Sequence, residues 1–169
     1  MGDARHKRVF LSLGANLGDR AAALAAAREA LAALPDTVVV AVSPVYETAP
    51  QDLPDQPSFL NQVVCIDTGL APRELLARCL AIEAILGRVR TARFGPRVID
   101  IDILLFEGVE ADDPELTLPH PRLWERAFVL VPLARLWSLA RGMPAADVDG
   151  LAARLAATQA VALYVATED

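Results

Sequence analysis

Arg97-Val98-Ile99-Asp100-Ile101-Asp102-Ile103-Leu104-Leu105 decides how the rest of this chain is read. Branched aliphatics alternate with aspartates, and a strand has a side-chain period of two. Ile99, Ile101, Ile103 and Leu105 are therefore expected on one face, toward a helical layer. Asp100 and Asp102 fall on the opposite face, about 7 Å apart along the strand. Two carboxylates side by side repel unless a cation lies between them. A solvated sheet face is the bland account, but Asp is a poor strand former. Two of them in an Ile/Leu strand are hard to explain as solubility devices. Hard oxygen ligands at this spacing suit Mg²⁺, which keeps several waters and leans on one or two carboxylates plus substrate phosphates.

Working outward, Arg88, Arg90, Arg93 and Arg97 fall within ten residues of a chain whose net charge is −6. Such a run is commonly a solvated loop. Here it leads straight into the two aspartates, and guanidinium forks beside a metal site are what polyphosphate chemistry needs. Catalysis of phosphoryl transfer is mostly positioning and charge stabilisation of this kind.

The flanking segments supply the fold. Arg8–Gly14, Thr37–Tyr46, Ser58–Asp67 and Val98–Phe106 read as strands. Arg20–Leu34 reads as a helix that Asp19 caps and Pro35 ends. A second helix begins at Pro72 and stops at Gly87. Ala49–Pro57, with Pro50, Pro54 and Pro57, is a long loop. Val129–Trp137 and Val148–Ala157 read as short helices, and the tail after Gln159 has no clear pattern. The order is β-α-β-β-α-β with a C-terminal extension. That order predicts an α+β, ferredoxin-like antiparallel sheet with its helices on one face and the other face left for ligands. Residues 1–169 are expected to form a single domain.

Composition excludes several classes. At 54% hydrophobic and 22% charged residues the chain is too apolar for disorder. Cys65 and Cys79 form no CxxC pair, so neither a disulfide framework nor a structural zinc site is expected. The mean hydropathy of +0.34 raises the question of a membrane. The longest uncharged stretch, Leu155–Thr167, has 13 residues, against about 20 for a spanning helix. No signal-peptide core is evident. These features predict a soluble, cytoplasmic protein with no membrane partner. A pI of about 4.9 argues against a nucleic-acid partner.

Other residues offer weaker signals. Phe59 and Asn61 share a strand face, which suits a flat heterocycle with an amide-like edge; a core Phe with an edge Asn fits equally well. Pro119-His120-Pro121 stiffens a histidine, with Arg122 and Arg126 close behind, and Phe128 is by default core. The Gly14–Gly18 turn follows a strand and precedes a helix, but it lacks the lysine of a P-loop and the spacing of a dinucleotide-binding turn.

Seven stretches belong together: Leu13-Gly14-Ala15-Asn16-Leu17-Gly18-Asp19, Tyr46-Glu47-Thr48-Ala49-Pro50, Asp55-Gln56-Pro57-Ser58-Phe59-Leu60-Asn61, Ile82-Glu83, Gly87-Arg88-Val89-Arg90, Phe94-Gly95-Pro96-Arg97-Val98-Ile99-Asp100-Ile101-Asp102 and Leu118-Pro119-His120. In these the chain resembles the 6-hydroxymethyl-7,8-dihydropterin pyrophosphokinase family of folate biosynthesis. The resemblance implies transfer of a pyrophosphoryl group from ATP to the pterin hydroxymethyl oxygen, with release of AMP. It implies two Mg²⁺ ions on Asp100 and Asp102, and Arg88 and Arg97 on the triphosphate during transfer. It implies an ATP site lined by Glu83, Arg90, Ile103, Thr117, His120 and Arg126. The pterin would stack between Phe59 and Phe128 and be read by Asn61 and by backbone near Thr48, Ala49 and Leu53. A monomer is expected. The chain departs from the family pattern at Asp52, Phe94 and Val98, and none of these is a metal ligand. Two other readings keep the fold. A nucleotidyl cyclase or polymerase-palm enzyme would release pyrophosphate instead of AMP, and a non-catalytic small-molecule sensor would have no need of the aspartates.

Overall fold

Val9, Leu11 and Leu13 alternate along the first strand, β1 (Lys7–Ala15), and all three are fully buried. They face two helices, α1 (Arg20–Ala32) and α2 (Pro72–Ile85). The Asp19 side chain caps α1 by accepting from Ala22 N at 3.0 Å. Pro72 opens α2, and Gly87 ends it with φ +87°. Leu24, Ala27 and Leu31 of α1 and Leu75, Cys79 and Ile82 of α2 complete this helix-side core. In the computed structural model, residues 6–49, 57–87 and 98–166 are described.

The remaining strands are β2 (Thr37–Val42), β3 (Tyr46–Thr48), β4 (Phe59–Thr68), β5 (Asp100–Phe106) and β8 (Val161–Leu163). With β1 they form one sheet in the order β5-β1-β4-β3-β8, and β2 pairs with β4 beyond the end of β3. Every pairing is antiparallel. A separate small hairpin joins β6 (Ala111–Asp112) to β7 (Thr117–Leu118). The mixed α+β antiparallel architecture is as expected.

Three expectations need correction. Thr37–Tyr46 is not one strand. Pro44 cannot donate to the ladder, and the Ser43 backbone and side chain both bond to Val63, so the strand breaks there and resumes at Tyr46. Leu105 does not face α1 and α2. Phe10 pairs with Leu105 while Leu11 pairs with Ile103, so Leu104 is an extra residue in a bulge. Leu104 and Leu105 both turn to the far face, and Phe106 takes the helix-side position. Finally, helices do not lie on one face only. Helices α3 (Ala127–Ala134) and α4 (Val148–Ala156) cover half of the far face, packing on Phe10, Val63, Cys65 and Leu104. The other half of that face carries Ser12, Gly14, Phe59, Asn61, Asp100 and Asp102.

At the far end, Arg8 holds the Asp67 carboxylate with two bonds of 2.9 Å and donates to Leu139 O, which ties the α3–α4 layer to β1. The Arg8 guanidinium holds the Asp67 carboxyl below its usual range. A depressed carboxylate contributes stability that is complete above its unfolded pKa, about 4, and is lost as pH falls through the folded value. Urea midpoints are therefore expected to drop below about pH 4. Asp67→Asn should cost stability at pH 7 and flatten that acid dependence; an unchanged acid limb would contradict it.

Burial pushes the Cys65 thiol up to about 11. Burial, with Glu83 and Asp102 nearby, pushes Cys79 up to about 12. Thiolates are the reactive form, so neither cysteine should be alkylated at pH 8 until the protein unfolds. Labelling of the native protein within minutes would refute this.

Candidate active site

The floor of the site is a set of cross-strand rows. Gly14 pairs with Asp100 on β5 and with Asn61 on β4, and Asn61 pairs in turn with Tyr46 on β3. With strands about 4.8 Å apart, the row sets Asn61 and Asp100 about 10 Å apart across a residue with no side chain. The next row places Asp102 opposite Ser12, and Phe59 lies opposite Thr48. The period-two expectation that joined Phe59, Asn61, Asp100 and Asp102 on one face therefore holds in the structure.

Asn61 is 3% exposed, and its Nδ2 donates to Thr48 Oγ1 at 2.7 Å. In this orientation Oδ1 lies on the Gly14 side, where a Cβ at residue 14 would meet it at 3.4 Å and Phe59 Cδ1 at 3.9 Å. Gly14 ends the expected strand Arg8–Gly14, and the strand continues one residue beyond it to Ala15. A glycine inside a strand signals close approach by another group, and that cue identifies it. Extended backbone accepts valine, so Gly14→Val is expected to fold normally. Its branched side chain would crowd Asn61 and Phe59 and raise the KM of a substrate seated on this floor about tenfold; an unchanged KM would remove Gly14 from the floor.

Asp100 and Asp102 are half-buried on the open half of the far face. Two carboxylates with room for water and phosphate oxygens fit Mg²⁺. Among the described residues there is no group of three or more His, Cys, Asp and Glu able to hold a metal ion. The donor set thus fits a metal that takes part of its shell from substrate and water. Glu83 is 2% exposed, and its carboxylate accepts from Ile101 N at 3.1 Å, bracing the backbone between the two aspartates. The Ile103 side chain is buried in the helix-side core.

The rim comes from the segment after β7. His120 N donates to Leu104 O at 2.9 Å, docking the segment onto the bulge of β5. Thr117 belongs to β7, and its Oγ1 donates to Asp113 O. His120 Nδ1 accepts from Arg122 N at 3.2 Å, which puts the proton of the neutral ring on Nε2. Burial lowers the His120 pKa; Arg126 and Arg122 lower it further, and Asp100 opposes them. The Arg126 guanidinium lies 5.4 Å from the Phe128 ring centroid. Phe128 is half-buried against the far-face core. On β3 Thr48 is buried, and Ala49 after it is exposed. Leu53, Arg88, Arg90 and Arg97 lie outside the described residues, as do Asp52 and Phe94.

The family model described as 7,8-dihydro-6-hydroxymethylpterin-pyrophosphokinase (HPPK) matches residues 10–138. The chain belongs to the HPPK family. It is 57% identical over 129 residues to the 2-amino-4-hydroxy-6-hydroxymethyldihydropteridine pyrophosphokinase of Methylorubrum extorquens, covering 76% of this chain and 82% of that one. The enzyme of the same name from Pseudomonas aeruginosa is 48% identical over 130 residues, covering 77% and 80%. A crystal structure of Plasmodium falciparum HPPK-DHPS shares the fold with a TM-score of 0.68 at 14% identity, over 90% of this chain and 46% of that one. Helix α4 and strand β8 lie beyond the residues matched by the HPPK family model.

Proposed function

We propose that this HPPK family member transfers the pyrophosphoryl group of ATP to the hydroxymethyl oxygen of 6-hydroxymethyl-7,8-dihydropterin, releasing AMP, in folate biosynthesis. The hydroxyl oxygen bonds to the β-phosphorus, and the bond from that phosphorus to the α–β bridging oxygen breaks. The hydroxyl proton leaves to solvent. The observation that carries the residue assignment is the row Asp100–Gly14–Asn61. It offers an amide at one end and a carboxylate at the other, across a bare floor.

On this reading Asn61 Oδ1 accepts from the pterin edge, with backbone near Thr48, Ala49 and Leu53 alongside. Phe59 and Phe128 are the stacking rings. Asp100 and Asp102 hold two Mg²⁺ ions, which when bound neutralise phosphate charge and help activate the hydroxyl. His120 Nε2–H and Arg126 face the nucleotide, with Thr117 and Arg90 beside them; Ile103 contributes through its backbone and Glu83 by bracing Ile101 N, because both of their side chains are buried on the helix side. Arg88 and Arg97 hold the triphosphate as charge builds during transfer. The strand order supports assigning the core to the ferredoxin-like split arrangement. We read residues 1–169 as one pyrophosphokinase domain, acting as a cytoplasmic monomer without nucleic-acid or membrane partners. No described helix is long and apolar enough to cross a membrane.

The test incubates purified protein with ATP, Mg²⁺ and the pterin and counts AMP against ADP. AMP formed one-for-one with pterin pyrophosphate is the expected result. ADP, or no AMP from a folded protein that binds ATP, would overturn the assignment.

A further inference from the structure

The tail that showed no pattern in the sequence makes two sets of contacts, one to each side of the proposed pterin site. Gln159 Oε1 accepts from Ala127 N at 2.9 Å, and its Nε2 donates to Glu125 O at 2.9 Å. One amide thus brackets Arg126 and leads into Phe128. The first N–H groups of a helix need an acceptor. At α3 the N-cap residue Arg126 supplies no side-chain cap, and Gln159 does so from 32 residues away.

Two residues further on, Val161 begins β8, which pairs Val161 with Thr48, Ala162 with Glu47 and Leu163 with Tyr46. Even a fully extended chain rises only about 3.3 Å per residue, so the two grips are at most about 7 Å apart along the chain. The far end is locked as well. Tyr164 N donates to Val45 O at 2.9 Å, and the Arg20 guanidinium lies 5.9 Å from the Tyr164 ring centroid. Arg20 Nη1 also donates to Glu47 at 2.7 Å and to Ser58 O at 3.0 Å, next to Phe59. Burial of its own side chains does not explain β8, because Leu163 is 59% exposed and Val165 after it is 74% exposed. Backbone pairing and Tyr164 hold it.

We infer that residues 159–164 are a strap that sets the separation between the Arg126–Phe128 wall and the Thr48–Asn61 wall, with Gln159 as its positioning residue. The inference rests on the pyrophosphokinase reading for what the two walls bind.

The test compares wild type, Gln159→Ala and Gln159→Glu by steady-state kinetics and by hydrogen exchange of the apo protein. In Gln159→Ala, amides at 127–129 and at 46–48 should lose protection together, while those of β1 stay protected. The pterin KM should rise at least fivefold with kcat within twofold, because β5 and its aspartates do not touch the strap. Gln159→Glu keeps the acceptor for Ala127 N–H, now as an anion at a helix N-terminus, but loses the donor to Glu125 O, so it should recover part of the KM and lie between wild type and Gln159→Ala. Exchange confined to 127–129, or an unchanged pterin KM beside a lowered melting temperature, would overturn the strap. A wild type that makes no AMP would sink the pyrophosphokinase reading alone. The strap would then stand or fall on whether the two segments loosen together.

Discussion

Asp102→Ala is expected to lower kcat by at least ~10³-fold, about 4 kcal/mol of transition-state stabilisation, while the melting temperature stays within a few degrees of wild type. Both halves follow from its position. Asp102 sits opposite Ser12 on the open half of the far face and is half-buried, so truncation leaves no sealed cavity in either core. Removing one of two neighbouring carboxylates also relieves repulsion in the metal-free protein, which limits the cost to the fold. The cost falls on the metal shell and on the phosphates it would neutralise. Asp102→Asn is the sharper variant, because it keeps shape and removes only charge; its kcat should fall almost as far. The measurement is kcat at saturating ATP, pterin and Mg²⁺, beside a thermal melt. Activity of Asp102→Ala within tenfold of wild type would refute the ligand assignment.

That prediction rests on a part of the molecule legible in the sequence. Alternation along β5 separates Ile101 and Ile103 from Asp100 and Asp102, because a strand's period leaves little choice. The same argument placed Phe59 with Asn61. The order of the central strands and the first two helices was legible too, since Asp19, Pro72 and Gly87 are local signals acting within a turn of where they stand. What failed was non-local. The bulge at Leu104 depends on pairing with Phe10 and Leu11, partners about 90 positions away in the chain, and no residue in β5 announces it. The break at Ser43–Pro44 carries a proline, but its meaning comes from Val63 and from Gln62, whose Nε2 donates to Ser43 O. That α3 crosses to the far face follows from an apolar Phe10–Cys65–Leu104 patch that exists only after the sheet is assembled. Gln159 has no local signature, since its two partners lie on another element.

Asn61→Leu should reduce kcat/KM for the pterin by ~10²–10³-fold, about 3–4 kcal/mol, with little change in ATP affinity. A site built to hydrogen-bond a polar edge loses far more from an apolar isostere than an apolar pocket loses from one methylene. Leucine fills much of the volume of asparagine, so the floor keeps its shape while losing its acceptor. It also strands Thr48 Oγ1, which now accepts from Asn61 Nδ2 in a buried setting. That alone costs about 1–3 kcal/mol of stability, so a lowered melting temperature is expected and does not decide the matter. Asn61→Asp does. The Thr48 hydroxyl can rotate and donate to the new carboxylate, and the second oxygen still faces Gly14 as an acceptor. If the pterin presents donors to Oδ1, as the amide is oriented here, Asn61→Asp keeps much of the affinity that Asn61→Leu loses. Equal losses in the two variants would mean that the ligand is read through Nδ2, and the Thr48 bond would then have to break on binding.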